Sequence, residues 1–158
     1  MKKTIMHNPV SKVECAQTCV SALDAENSII NDYIRVIACF QDEQIAHDLS
    51  PIRDDHKDSL RDLEMAIEDL GAQSVASDHL GTYQFFPRQP SQVSDEEDAI
   101  KMLLKREDNL LKFYDDILSH EEVLDDCANV FTTMLHPRVQ SHVAKLRKLR
   151  EMQSVGNN

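Results

Sequence analysis

Four stretches of this chain place apolar residues at steps of three and four, and that spacing restricts it to long helices packed face to face. The first stripe runs Val20, Leu23, Ile30, Ile37 and Phe40, with Glu26 and Tyr33 at steps of the same stripe. The second is Ile45, Leu49, Ile52, His56, Leu60, Leu63, Ile67 and Leu70. The third is Ile100, Leu103, Glu107, Leu110, Tyr114 and Ile117. The fourth is Leu124, Phe131, Leu135, Val139, His142, Leu146 and Leu149. With three glycines, five prolines, 5% aromatics and no tryptophan, the chain lacks the turn formers and aromatic runs that sheets use. An all-α bundle is expected.

Local signals place the helix ends. Ser11 with Glu14, Ser94 with Glu97 and Ser119 with Glu122 have capping-box spacing and are expected to open helices 1, 3 and 4. Gly71 stands where a left-handed stop belongs, and Pro137 should kink the last helix. Residues 72–93 carry Gly81, two prolines, Tyr83, Phe85 and Phe86 with almost no charge, and they break the helical pattern. They read as a long ordered connection pinned by its aromatics. The 158 residues thus form one domain: a helix pair over 11–71, a crossover over 72–93 and a helix pair over 94–152. Two pairs joined by one long crossover is the ferritin-like arrangement of a four-helix bundle.

Two positions for the first turn are open. Ser50-Pro51 is a good helix start, which would put the turn at 47–50. Glu26 and His56 would then lie at very different heights, about 30 Å and 8 Å from the turn at roughly 1.5 Å per residue. A turn near 41–43 levels them and keeps the stripe from Ile45 to Leu70 unbroken, with Pro51 inside the helix. The second position is the one adopted.

Polar residues on these stripes are the candidate site. Glu26 and Tyr33 are seven residues apart, as are Glu107 and Tyr114, so each pair shares a buried face two turns long. A carboxylate inside a bundle must be paired, protonated or bound to a metal. His56 and His142 face inward from the other two helices. The set Glu26, His56, Glu107 and His142 could therefore converge on one metal ion, iron or zinc. Tyr33 and Tyr114 would be supporting partners or plain core aromatics, and Arg53 could neutralise a carboxylate without any metal. His7, His47, His79, His120 and His136 fall off the stripes and read as surface or loop residues.

The strings AENSIINDY and REDNLLKFY, the LG that ends helix 2 and the His-x-x-x-Leu ending of helix 4 carry a resemblance. From about Val20 to Leu149 the chain is similar to a rubrerythrin-related helical-bundle family of unknown function, and more distantly to bacterioferritin-like and rubrerythrin-like di-iron proteins. In those proteins helices 1 and 3 each bring a Glu with a Tyr seven residues on, and helices 2 and 4 each bring Glu-x-x-His. Here Arg53 and Val139 stand where the two bridging Glu would be. The resemblance thus implies a ferritin-like fold with a degenerate di-metal site, in a non-catalytic interaction or stress-associated module. A metal-binding protein using the four residues above is the alternative.

The net charge of −11 argues against nucleic acid as a partner, because phosphate neutralisation needs a basic face. No stretch resembles a signal peptide or a membrane span. Cys15, Cys19, Cys39 and Cys127 lack a disulfide framework, so a reducing cytoplasm is expected. Helices 1 and 4, each about 30 residues at the expected bounds, would overhang their partners and expose apolar ends such as Val13 and Val20, favouring a homodimer.

Overall fold

The computed structural model describes residues 9–40, 42–71, 95–119 and 125–156, and among these all regular structure is helical. Helix α1 spans Pro9–Phe40, α2 Glu43–Asp69 and α3 Glu96–Ser119. A fourth rod comprises α4 (Asp125–Val130), a π-helical segment (Phe131–Leu135) and α5 (His136–Gly156). No helix among the described residues is long and apolar enough to cross a membrane.

Helix α1 ends at Phe40 and α2 begins at Glu43, with Asp42 as the cap of α2. Its Oδ1 accepts from the backbone N–H of Gln44 at 2.8 Å and of Ile45 at 3.4 Å, satisfying donors that the helix leaves free. Pro51 lies inside α2, exposed, so the Ser50-Pro51 start is not used. Gly71 ends α2 with φ +67°, a left-handed conformation in which a side chain would be strained.

Three of the expected helix starts move. Helix α1 begins at Pro9, three residues earlier than a cap at Ser11 allows. For α3 the cap is Asp95, whose Oδ1 accepts from Asp98 N–H at 2.7 Å, while Ser94 lies outside the described residues. Ser119 is the last residue of α3 rather than the opening of the next helix, because its hydroxyl turns back to the carbonyl of Asp116 at 2.7 Å. Pro137 has no N–H to close an α turn, and the helix widens into the π segment immediately before it, where His136 N–H bonds to the Phe131 carbonyl.

Helix α1 packs chiefly on α2, and α3 on α5, with α1 against α3 joining the pairs. Side-chain contacts give the directions. Glu26 meets Tyr114 while Tyr33 meets Glu107, so α1 and α3 are antiparallel. Asp55 meets His142 while Asp62 meets Arg138, so α2 and α5 are antiparallel as well. With α1 antiparallel to α2 across their short turn, the rods run up, down, down and up. The start of α3 accordingly sits beside the α1–α2 turn, where Asp42, Ile45, Glu96, Ile100 and Leu149 line one cavity. Gly71 and Asp95 lie at opposite ends of the molecule, and the chain that joins them is outside the described residues.

The core follows the stripes. Leu49, Ile52, Leu63, Leu103, Leu110, Phe131, Leu135 and Leu146 are fully buried, each worth about 1.5–3 kcal/mol against exposure. Helix α1 buries a wider face than its stripe suggested, because Ala16, Ala22, Ala25 and Ile29 are covered too. Val20 is only 1% exposed, which removes one apolar end expected to favour a dimer; the side chain of Val13 lies outside the described residues. The cysteines also differ from expectation. Cys39 is a free thiol and Cys19 stands outside any disulfide, but Cys15 is disulfide-bonded, with its partner outside the described side chains. Seven residues from the site, Cys19 is buried, and burial pushes its thiol up to about 12, so it is not nucleophilic at neutral pH.

Candidate metal centre

Because α1 ends at Phe40 and α2 starts at Glu43, Glu26 and His56 reach the same level, each about 20 Å from those helix ends at roughly 1.5 Å per residue. The antiparallel packing of α3 and α5 brings Glu107 and His142 to that level from the other side. All four residues are fully buried, as are Tyr33 and Tyr114. The expected face-sharing of each Glu–Tyr pair is present, but the hydrogen bonds cross between helices. Tyr33 donates to Glu107 Oε1 at 2.9 Å, and Tyr114 donates to Glu26 Oε1 at 2.5 Å. Both tyrosines are therefore partners of the site. Burial, then the carboxylate that each one faces, holds their hydroxyls protonated well above the ordinary tyrosine range.

His56 lies between the two glutamates. Its Nδ1 contacts Glu26 Oε2 at 2.5 Å and its Nε2 contacts Glu107 Oε1. An ionised carboxylate only accepts, so both ring nitrogens carry hydrogen and the ring is an imidazolium. Burial by itself would lower the pKa of His56, but the charges of Glu107 and Glu26 outweigh it and raise it to about 10. Burial would likewise raise Glu107, yet His56 and His142 bring it down to about 2.

His142 is held differently. Its Nε2 lies 2.9 Å from Asp55 Oδ2, and its Nδ1 lies 3.4 Å from Glu107 Oε1 without a hydrogen bond. Glu107 Oε2 also has no partner. Two buried polar atoms on facing residues are thus left unsatisfied at the centre of the molecule, where each orphan costs about 1–3 kcal/mol. The two rings stack obliquely, with centroids 4.6 Å apart.

One ligand atom each from His56, Glu107 and His142 lies within 4.8 Å of the other two. Ligands at about 2.1 Å from a shared ion are at most about 4.2 Å apart, so a small closure brings these three into range. Glu26 stands outside the trio. It is bonded to the far nitrogen of His56, and one imidazole cannot turn both nitrogens to the same ion. The expected four-residue convergence is therefore three residues plus a carboxylate behind one of them. Arg53 does not turn toward the glutamates, since its Nε pairs with Asp54 Oδ1 at 3.2 Å.

Comparison with known protein families, with characterised proteins and with solved structures finds no match.

Asp55 is the residue that sequence reasoning missed. It sits one position before His56, about 100° around the helix from the buried stripe, among Asp54, Lys57 and Asp58. On α2 alone it has the pattern of a surface charge, and only the position of α5 reveals its partner. The remaining histidines of the described residues are peripheral: His47 is exposed, and His136 pairs with Asp115 at 2.6 Å near the surface. His7, His79 and His120 lie outside the described residues.

Proposed function

We propose that this protein is a metal-binding helical bundle that holds one iron or zinc ion between His56, Glu107 and His142. The observation that carries the reading is the arrangement of the two imidazoles. Each has a carboxylate behind it, Glu26 on Nδ1 of His56 and Asp55 on Nε2 of His142, and the other nitrogen of each turns toward Glu107. Histidines that bind metals are commonly held this way, with the outer N–H given to a carboxylate. Two imidazoles and one carboxylate suit zinc with an open position, or ferrous iron in a facial triad. The unpartnered Nδ1 of His142 and Oε2 of Glu107 would find their partner in that cation.

The up-down-down-up order of the rods and the opposite placement of Gly71 and Asp95 support a ferritin-like frame with a crossover along its length. The paired Glu and Tyr on α1 and α3 support kinship with the rubrerythrin-related family. With Arg53 and Val139 at the two bridging positions, the donor set suits one ion rather than two.

A second reading rests on the contacts of His56. Its imidazolium between two glutamates satisfies a buried charge without metal, which suits a degenerate centre in an interaction or stress-associated module. Elemental analysis after anaerobic loading, followed by titration with zinc and ferrous iron, separates the two. The metal reading expects one ion per chain, lost in His56→Ala, Glu107→Ala and His142→Ala. Wild-type protein that retains no stoichiometric metal and shows no thermal shift with zinc, iron or manganese refutes it.

A further inference from the structure

His142 offers a metal one nitrogen, and something must decide which. We infer that Asp55 is the positioning residue of this centre: it fixes His142 in the Nε2–H tautomer and so leaves the Nδ1 lone pair facing Glu107. The inference rests on the metal-binding reading for its consequence but not for its geometry.

Asp55 Oδ2 lies 2.9 Å from His142 Nε2 and, as a carboxylate, accepts only, so the hydrogen must be on Nε2. In a neutral ring the other nitrogen is then a bare acceptor, and Nδ1 has no hydrogen-bond donor of its own. The ring of His142 is fully buried, whereas the Asp55 side chain is 39% exposed. Asp55 therefore also links the interior of the site to water. Its backbone is anchored by the Ser59 hydroxyl, which donates to the Asp55 carbonyl at 3.2 Å. Ser59 in turn accepts from Arg138 Nη1 at 3.2 Å, and the same guanidinium nitrogen donates to Asp62 at 2.6 Å. This cross-link between α2 and α5 lies about one turn to one side of the Asp55–His142 contact and ties the two helices together there. Removing outer carboxylates of this kind typically costs about 10–100-fold in metal affinity.

Two substitutions test the assignment. Asp55→Ala removes the acceptor, while Asp55→Asn keeps an amide oxygen able to take the same hydrogen bond. Long-range proton–nitrogen NMR of the metal-free protein reads the tautomer of His142 directly, at a pH where the ring holds one proton. Wild type and Asp55→Asn are expected as Nε2–H, with Asp55→Ala a mixture. Zinc affinity, measured by competition with a chelating dye, is expected to fall about 10–100-fold in Asp55→Ala and to recover in Asp55→Asn. A pure Nε2–H tautomer and wild-type zinc affinity in Asp55→Ala overturn the inference. Wild-type protein that binds no zinc refutes the metal reading instead, and the tautomer measurement still decides whether Asp55 sets His142.

Discussion

Above pH 6.5 the metal-free protein should lose stability steadily, and the loss should trace to one buried ring. In the unfolded chain the His56 imidazole titrates near 6.5, whereas between Glu26 and Glu107 in the folded protein it titrates near 10. The folded state therefore keeps a proton that the unfolded state gives up. Its contribution is fully present below pH 6.5 and is lost as the pH rises through 10. The slope starts at about half of 1.36 kcal/mol per pH unit at pH 6.5 and approaches that full value by about pH 8, so the loss between pH 6.5 and 8.5 amounts to about 2 kcal/mol. The Cys19 thiol, pushed up to about 12 by burial, stays protonated over that interval. Urea denaturation in chelator at several pH values reads the slope, and His56→Gln should flatten it. If that variant does not fold, nitrogen NMR of wild-type His56 gives the same answer through its ring shifts. A flat wild-type profile between pH 6.5 and 8.5, or His56 found neutral at pH 8, refutes the bridging imidazolium. Saturating zinc should reverse the sign, because the metal needs Nε2 without its proton and binds more tightly as the pH rises.

The acid arm belongs to Glu107. Its stabilisation is present above pH 4.5 and disappears as the pH falls through about 2, so a denaturation series from pH 5 to 2 should show a decline that Glu107→Gln lacks. Tyr114→Phe strands Glu26 Oε1 without its donor and should cost about 1–3 kcal/mol in the metal-free protein, measured by denaturant midpoint. Leu103→Ala should cost about 2–5 kcal/mol through the cavity it opens while leaving zinc stoichiometry at the wild-type value, since the residue only packs the core. Removal of Glu26 by Glu26→Ala should weaken zinc binding without abolishing it, unlike Glu107→Ala, as calorimetric titration of the two variants will show.

The helical class and most of the core were legible in the sequence because a stripe at steps of three and four has one physical reading, a helix with one covered face. All six residues of the third stripe, from Ile100 to Ile117, are buried. The level of Glu26 against His56 was also legible, since only a turn near 41–43 aligned them. Helix starts were not, because capping spacing at Ser11, Ser94 and Ser119 recurs by chance, and the cap that forms depends on where tertiary packing stops the rod. Ala22 and Ala25 carry no strong hydrophobic signal, yet the close approach of neighbouring helices buries them.

For the site, the sequence alone determined the inward carboxylates, tyrosines and histidines, because a polar residue on an apolar stripe identifies itself. Which nitrogen of each ring faces which carboxylate was decided only by the tertiary structure. That choice depends on side chains from different helices, Glu26 on α1 against His56 on α2 and Asp55 on α2 against His142 on α5. The spacing along one helix says which way a residue points, but it holds no information about what a neighbouring helix brings to the same height.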